Sequence, residues 1–456
     1  MDKSISLAYG RSRITCQIGN GRRINVLRPA NGKTDSPAEV AADESAIIAA
    51  ALANPIKSPP LAELAKDKKK VVVITSDHTR PVPSRLTLPL MLKEIRKGSP
   101  EADITVLIAV GSHRATTRAE MEEKFGADFV AREKIVNHDP RDADGLVSLG
   151  RLPSGGELIL NKLAATADLL AADGFIEPHQ FAGFSGGRKS VLPGVAGLAT
   201  VLASHNSEFT VHPQARPGVL EGNPFQADML HAARTARLAF ILNVTLTPSK
   251  ITGDRPGSDS AETCELHRRD DGARRLWRIE AAFAGDMEAA HLAGCAHVLE
   301  HCGVRAAPAP VVVTGNGGYP LDRNIYQSTK SLMAADLCCE PGGVIISVNE
   351  CGDGCGADEF HRDFKNAGSL EALLEEIQSR SRADTRPDQW VTQLTASILK
   401  RRKVIAVSGA EPDMIRSFGM IPAPCLSAAL KMADEMTGRP DAPITVLPEA
   451  VAVVIR

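Results

Sequence analysis

Three histidines lie in loops of small or turn-forming residues, where catalytic side chains are often found. They are His113 in GSHRATT, His179 in EPHQFAG and His205 in ASHNSEF. Imidazole is a general base near neutral pH and also binds zinc, copper or nickel. A lone histidine is usually structural, but three on loops favour a functional site. Acid–base catalysis and metal binding are both compatible with these residues.

A second polar group follows an apolar run that reads KKKVVVITS. It consists of Asp77, His78, Thr79 and Arg80 in consecutive positions. A guanidinium such as that of Arg80 suits a carboxylate, because it can donate two parallel hydrogen bonds. This loop is therefore a candidate anion-binding site.

The segment GFSGGRKS (183–190) is close to a phosphate-binding P-loop, which reads glycine, four residues, then Gly-Lys-Ser or Gly-Lys-Thr. Gly183, Lys189 and Ser190 match that pattern, but Arg188 replaces the second glycine. A P-loop also follows its strand directly, whereas about ten residues intervene here. The spacing disfavours an ATPase. A plain glycine-rich turn is the simpler alternative, although the neighbouring histidines argue against it.

The elements that position these residues are short apolar strands alternating with helical stretches. Strands are predicted within 68–80, 102–114, 167–180 and 237–246, and helices over about 84–97 and after the capping-box pair Thr117 and Glu120. This alternation predicts a mostly parallel sheet with helices on both faces. Ligands of such sheets bind at the carboxyl ends of the strands. The polar residues that follow strand ends, namely Asp77, Arg80, His113 and His179, should therefore converge.

A second α/β unit is predicted after the Pro/Ala-rich stretch 303–310. Its strands are expected within 311–320, 342–350 and 402–410 and near the C-terminus, with a helix over about 325–337. We therefore predict two α/β domains with mostly parallel sheets, residues 1–302 and 303–456, and an active site in the cleft between them. In one variant of this prediction the last strand returns to the first domain. The charged stretch 248–278 is interpreted as a solvated loop.

Composition limits the partners and the compartment. The 456 residues include 53 Lys and Arg against 55 Asp and Glu, so the formal net charge is −2. Neither a nucleic-acid nor a membrane partner has electrostatic support. Nine cysteines, an odd number, together with an N-terminus without an apolar signal segment, predict a cytoplasmic protein.

Five separated motifs together resemble the nickel-pincer lactate racemase family. The motifs are SDHTRP, GSHR, EPHQFAGFSGGRKSVLPG, SHNSEF followed by GVLEGNPF, and YQSTKS. The intervals also match: 36 residues separate Asp77 from His113, ten separate His179 from Lys189, and sixteen separate Lys189 from His205. The resemblance extends from about residue 5 to the C-terminus.

The resemblance implies a cofactor, the nickel-pincer nucleotide, in which a pyridinium-3,5-bisthiocarboxylic acid mononucleotide holds Ni(II). In this family a lysine that aligns with Lys189 attaches the cofactor covalently, and a histidine that aligns with His205 is the protein's nickel ligand. His113 and His179 align with two acid/base catalysts on opposite faces of the substrate. The glycines near Lys189 would then let the backbone approach a mononucleotide.

The resemblance also assigns the remaining site residues. The cofactor-binding residues are Asp77, His78, Thr79, Arg80 and Lys189. The substrate-binding residues are Arg80, Gln327, Lys330 and Trp390. Two features depart from the family pattern, the long charged stretch 248–278 and Phe181 beside His179. Both are expected to reshape the pocket.

The predicted function is racemisation or epimerisation at C2 of a 2-hydroxy acid, with lactate as one candidate. Hydride transfer to the pyridinium avoids a carbanion, and two histidines exchange the hydroxyl proton. The implied partners are a small 2-hydroxy acid and the enzymes that make the cofactor. Two alternatives remain from the residues alone: a nucleotide- or metabolite-binding protein without turnover, and a zinc-dependent hydrolase that uses the three histidines. A His-Glu-x-x-His motif, which would support the hydrolase, does not occur.

Overall fold

The computed structural model describes residues 3–18, 21–29, 43–248, 265–268 and 277–456. The chain divides into two compact units. The middle unit comprises the described residues of 34–250 and 275–300, and the terminal unit comprises those of 1–33, 251–274 and 301–456. Each unit is built around its own six-stranded sheet.

The strands, in chain order, have the following bounds: β1 Lys3–Tyr9, β2 Ser12–Ile18, β3 Ile24–Val26, β4 Lys70–Ser76, β5 Asp103–Ala109, β6 Lys134–Asn137, β7 Leu146–Arg151, β8 Glu157–Asn161, β9 Leu169–Phe175, β10 Pro178–His179, β11 Gly183–Phe184, β12 Leu238–Pro248, β13 Glu265–Arg268, β14 Trp277–Gly285, β15 Gly303–Val304, β16 Ala309–Thr314, β17 Cys339–Val348, β18 Lys403–Val407, β19 Ile421–Ala423, β20 Ile444–Leu447 and β21 Val454–Ile455.

The α-helices, in chain order, have the following bounds: α1 Glu44–Ala53, α2 Leu61–Leu64, α3 Ser84–Gly98, α4 Arg118–Phe125, α5 Ala127–Arg132, α6 Lys162–Ala165, α7 Leu198–Ser204, α8 Ser207–Thr210, α9 Pro224–Thr235, α10 Met287–Cys302, α11 Ile325–Cys338, α12 Asp358–Asn366, α13 Leu370–Ser379, α14 Gln389–Arg401, α15 Pro412–Ser417 and α16 Leu426–Thr437. Helix α10 is continuous across residues 300 and 301, where the two compact units divide.

The sheet of the middle unit has the strand order β14-β12-β9-β4-β5-β6. All neighbours are parallel except β14, which runs antiparallel to β12 at the edge. The strands are rich in Val, Ile and Leu, and the core of the unit includes Val71, Val73 and Val106 from β4 and β5. Such apolar strands are typical of a sheet that is covered on both faces.

The strand order reverses at the centre of this sheet. From β4 the chain proceeds to β5 and β6 on one side and then returns to β9 on the other side of β4. The loops that follow β4 and β9 therefore diverge and leave a crevice at the carboxyl ends of these strands. This is the position where ligands of open α/β sheets bind.

The sheet of the terminal unit has the order β19-β18-β17-β16-β20-β3, with every pair parallel. A smaller antiparallel sheet, β1-β2-β13, packs into the same core through Ile5, Leu7 and Ile14. These contacts place the N-terminal strands in the terminal unit. The predicted domain boundaries instead placed these strands in a domain of residues 1–302. The last strand, β21, pairs with β15 of the same unit and does not return to the middle unit.

The prediction of two α/β domains with mostly parallel sheets is confirmed. The predicted strands correspond to β4, β5, β9 and β12, and the expected capping box forms at the start of α4, where the side chains of Thr117 and Glu120 each bond the other's backbone N–H. Most of the charged stretch 248–278 lies outside the described residues. Within the described chain, no helix combines the length and apolar character needed to cross a membrane.

Candidate active site

The loops after β4 and β5 bring Asp77 and His113 together. Nδ1 of His113 lies 2.7 Å from a carboxylate oxygen of Asp77, which is buried, whereas the histidine side chain is 43% exposed. A carboxylate accepts hydrogen bonds, so Nδ1 carries the proton and Nε2 of the neutral ring is the basic nitrogen. This pair has the arrangement of a general base with its orienting carboxylate.

Asp77 is held as an anion by its neighbours. Burial alone would raise its pKa, but the hydrogen bond and charge of His113, the Thr79 hydroxyl and the charge of Arg80 together lower the pKa to about 2. The second carboxylate oxygen accepts from the backbone N–H of Thr79 at 3.0 Å and from its hydroxyl at 2.6 Å. Thr79 therefore orients Asp77 directly.

The rest of this loop is fixed from α4. Lys124 donates to the backbone carbonyl of Arg80 at 2.8 Å, which leaves the exposed guanidinium of Arg80 on a tethered backbone. His78 lies on the other side, with Nδ1 3.2 Å from the Thr116 hydroxyl, and burial is the largest cause of its lowered pKa. Of the four consecutive residues, Asp77 and Thr79 contact each other, and His78 faces Thr116.

His179 and Lys189 form the second pair. His179 lies in β10, opposite Gly183 of the short antiparallel strand β11. Its Nδ1 accepts from the backbone N–H of Ala182 at 3.3 Å, which places the proton of the neutral ring on Nε2. Nε2 is 3.4 Å from Nζ of Lys189. The structure therefore brings together the two residues to which the family resemblance assigns the acid/base and tether roles.

The surroundings of Lys189 disfavour the protonated, charged form of its amine. Loss of solvation lowers its pKa well below the usual lysine range, and the positive charges of Arg188 and Arg80 lower it further, while Glu177 opposes them. A neutral amine is nucleophilic, whereas an ammonium is not. The site thus favours the form of Lys189 that can make a covalent bond.

His205 is presented by the end of α7 as a neutral ring. It is 4% exposed, and its Nδ1 lies 2.8 Å from the backbone carbonyl of Val201. A carbonyl only accepts, so Nδ1 carries the proton and Nε2 carries the lone pair. Burial is the main cause that lowers the His205 pKa to about 3. A fixed neutral imidazole of this kind is a suitable metal ligand.

The ring of Phe181 packs against the rings of both His179 and His205. Its ring centroid lies 4.7 Å from that of His179 and 5.2 Å from that of His205, both edge to face, and it also packs against Phe225. The ring is 3% exposed. The expectation that Phe181 reshapes the substrate pocket stays a prediction. The ring is a buried spacer that sets the separation of two histidines.

The glycines of GFSGGRKS serve packing within the protein. A Cβ on Gly186 would lie 2.6 Å from the side-chain oxygen of Asn243, and one on Gly187 would lie 2.7 Å from the ring of His291. Both residues have positive φ, 76° and 54°. Side chains of the protein itself fill the space beside these glycines. The contacts therefore do not support the expectation that the glycines make room for a nucleotide.

Arg188, the residue that breaks the P-loop pattern, supports the loop from within. Its side chain is 1% exposed and donates to the backbone carbonyls of Ala182, Phe184 and Gly186 at 2.8, 2.9 and 3.3 Å. Further contacts reach Gln226 and His291. This role was not predicted from the sequence, although an arginine inside an otherwise small-residue loop is a visible signal.

The loops of the two pairs are joined by backbone hydrogen bonds. The N–H of Gly111, two residues before His113, donates to the carbonyl of Gly194 at 3.0 Å, and the N–H of Gly194 donates to the carbonyl of Lys189 at 3.1 Å. His113 follows β5 and His179 follows β9, the two strands that flank β4. The two histidines therefore come from opposite sides of the Asp77 loop.

The predicted substrate residues belong to the terminal unit. Gln327 and Lys330 are half-buried on α11, three positions apart and so on neighbouring parts of one helix face. Trp390 lies at the start of α14 and is 8% exposed. The geometry within this unit leaves their substrate-binding roles as predictions.

Comparison with known proteins identifies the family. Residues 9–218 match the lactate racemase N-terminal domain, and residues 304–455 match the lactate racemase C-terminal domain. Over 99% of its length the chain is 46% identical to a lactate racemase of Thermoanaerobacterium thermosaccharolyticum, of which it covers 99%. The chain belongs to the lactate racemase family.

Further comparisons agree with this assignment. A lactate racemase of Lactiplantibacillus plantarum is 40% identical over 99% of this chain and 100% of its own. The solved lactate racemase apoprotein of T. thermosaccharolyticum superposes with a TM-score of 0.88 over the full length of both chains. As a member of the lactate racemase family, the protein is an isomerase of the racemase type.

Proposed function

We propose that the protein inverts the C2 centre of a 2-hydroxy acid, lactate or a close relative, with His113 and His179 as the two acid/base catalysts. The observation that carries this proposal is the placement of the two rings. His113 and His179 follow β5 and β9, the strands on either side of β4. Asp77 holds His113 with a basic Nε2, and Nε2 of His179 lies 3.4 Å from Nζ of Lys189. A reversible inversion needs such an acid/base at each face of its substrate.

The cofactor proposed for this reaction is the nickel-pincer nucleotide, and the family implies a cofactor-dependent enzyme. Two features of the chain fit it. Lys189 has a lowered pKa that favours the nucleophilic amine, and His205 has its Nδ1 proton held by Val201, which leaves Nε2 as the donor for nickel. When bound, this group would supply an acceptor and donor of hydride for the hydrogen on C2.

The remaining steps belong to side chains of this chain. His113 removes the hydroxyl proton of one enantiomer at Nε2, and Asp77 stabilises the imidazolium that results. For the other enantiomer the base is His179, whose Nε2 accepts the proton once the ring's own proton has exchanged to Nδ1, at the loss of the 3.3 Å contact with the Ala182 N–H. Arg80 binds the substrate carboxylate, with its backbone held by Lys124. Gln327, Lys330 and Trp390 of the terminal unit are proposed to complete the substrate site.

The partners and the compartment remain proposals of the same kind. They are a 2-hydroxy acid substrate, the enzymes that make and insert the cofactor, and a cytoplasmic location without nucleic-acid or membrane binding. The two alternatives, a binding protein without turnover and a zinc-dependent hydrolase, lose their support because the chain is a member of an isomerase family.

A labelling experiment tests the hydride step. The enzyme, matured with the cofactor, is given D-lactate deuterated at C2 in ordinary water, and the L-lactate formed is analysed by mass spectrometry. Hydride transfer predicts that the deuterium stays on C2, because the hydrogen never becomes a solvent-exchangeable proton. Replacement of the deuterium by solvent hydrogen would instead indicate a carbanion and would overturn the mechanism. Parallel assays with other 2-hydroxy acids identify the preferred substrate.

A further inference from the structure

Three metal-binding side chains outside the candidate active site converge between α10 and β14. They are Glu280 of β14 and His297 and His301 of α10, and one ligand atom of each lies within 4.8 Å of the others. Nε2 of His297 is 3.7 Å from a carboxylate oxygen of Glu280. All three residues are half-buried.

The helix repeat places the two histidines on one face. His297 and His301 are four residues apart in α10, in the sequence HVLEH, so their side chains lie one above the other. The His297 ring also packs against Phe283 of β14, with ring centroids 5.5 Å apart. This contact holds the first histidine against the strand that carries the carboxylate.

A bulge in β14 brings Glu280 to the same place. Thr245 of β12 pairs with Ala281, but the next residue, Leu246, pairs with Ile279, so Glu280 is the extra residue of the bulge. Bulges redirect a side chain at a sheet edge and are frequent beside functional sites. The strand is anchored directly before the bulge, because the N–H of the buried Ile279 donates to the Glu44 carboxylate at 2.6 Å.

The donor set defines the class of ion. Two imidazoles and one carboxylate suit zinc and the other late divalent transition metals, with bonds of about 2.0–2.2 Å. Ligand atoms around one tetrahedral ion are then roughly 3.3 Å apart. The Glu280–His297 separation of 3.7 Å is close to this value, and small rotamer changes of these side chains would close the remaining gap. Three protein ligands leave one position for water.

We propose that Glu280, His297 and His301 form a second metal site, for a divalent zinc-like ion, separate from the nickel ligand His205. An ion there would cross-link α10 to the edge strand β14. The same helix carries His291, which contacts Ser185 and Arg188 beneath the loop of Lys189. The site is therefore structural in kind, and it does not depend on the proposed reaction.

Metal titration of the chain made without cofactor enzymes tests the proposal. Chelator-treated protein carrying His205→Ala, which removes the other candidate metal ligand, is titrated with Zn²⁺ by calorimetry and with Co²⁺ by visible absorption. The proposal predicts one saturable site, with affinity at least about tenfold lower in His297→Ala, His301→Ala and Glu280→Gln. The exposed His212→Ala serves as the matched control and should bind like the parent.

A second readout separates loss of the site from loss of the fold. Zn²⁺ should raise the Tm of the parent and of His212→Ala, because an ion that binds only the folded state stabilises it. The conservative Glu280→Gln variant should keep the parent circular dichroism spectrum and lose this rise. Equal Zn²⁺ affinity in the parent and in the His297→Ala/His301→Ala double variant would overturn the proposal. So would the absence of any saturable binding in the parent.

Discussion

Nδ1 of His113 lies 2.7 Å from the carboxylate of Asp77, although 36 residues and a helix separate the two in the chain. The adjacent parallel strands β4 and β5 end side by side, so the loops after them meet. This hydrogen bond fixes which nitrogen of His113 is basic. The acid–base role proposed for His113 depends on it.

Replacement of Asp77 by Asn tests this relationship. The amide keeps the size of the carboxylate but removes the charge that stabilises a protonated His113, so kcat should fall roughly 10²–10⁴-fold. The pKa of Asp77 is lowered to about 2, so the carboxylate stays ionised throughout the assay range and the loss should persist from pH 6 to pH 9. A control variant, Asp139→Asn in an exposed loop, should have parent activity. Parent kcat in Asp77→Asn would contradict the assignment.

Lys189 should carry the cofactor. Lys189→Ala is expected to retain no covalently bound cofactor after co-expression with cofactor-making enzymes, because the low-pKa amine that forms the bond is gone. Intact-protein mass spectrometry measures the adduct, and the exposed Lys66→Ala is the matched control. His205→Ala should keep the adduct and lose nickel. An adduct of parent mass in Lys189→Ala would show that another residue is the attachment point.

Arg188 should be critical for the stability of the Lys189 loop. In Arg188→Lys a compact ammonium cannot reach the carbonyls of Ala182, Phe184 and Gly186 together, so buried acceptors lose their donors. We expect the free energy of unfolding to fall by about 3 kcal/mol or more. Urea denaturation measures the change, with the exposed Arg114→Lys as control. Parent stability in Arg188→Lys would refute this role.

Buried histidines should make the folded state acid-sensitive. Burial is the largest cause that lowers the pKa of both His205 and His291 to about 3, whereas each takes up a proton near pH 6.5 once unfolded. The unfolded state therefore binds more protons between these values. Their contribution to stability is complete above pH 6.5 and is lost as pH falls toward 3, by about 1.4 kcal/mol per pH unit for each histidine.

The His291→Gln variant measures this effect. Glutamine does not titrate, so the free energy of unfolding should depend less steeply on pH between 6.5 and 4.5 than in the parent, whatever its value at pH 7.5. The exposed His212→Gln should keep the parent slope. An unchanged slope in His291→Gln would mean that His291 is protonated in the folded state.

Much of the fold could be predicted from local patterns. The apolar runs that became β4, β5 and β9 each end in polar loops, and strand ends of a parallel sheet meet at one edge. That rule grouped Asp77 with His113, which contact each other, and predicted His179 at the same edge of the sheet. The unit to which the N-terminal strands belong could not be predicted in this way. Strand β3 pairs with β20, more than 400 residues later, and its short apolar pattern does not indicate this partner.

The supporting residues were the least predictable part of the site. The contacts of Arg188, Phe181 and His291 arise from side chains that meet only after the loop is folded, and glycine composition alone could not tell a nucleotide cradle from internal packing. The pair His297 and His301 is different. Its four-residue spacing was visible in the sequence, but the carboxylate that completes the cluster depends on a bulge in β14.

Single-turnover oxidation by His113→Ala and His179→Ala, each loaded with cofactor, tests whether the two histidines act as paired acid/bases. The two histidines come from strands on opposite sides of β4 and are proposed to serve one enantiomer each. Each variant is mixed with D-lactate or L-lactate, and the absorbance of the reduced cofactor is followed. We expect each variant to reduce its cofactor with one enantiomer only, and the two variants to prefer opposite enantiomers. Neither variant should racemise lactate. Oxidation of both enantiomers at the parent rate by both variants would contradict it.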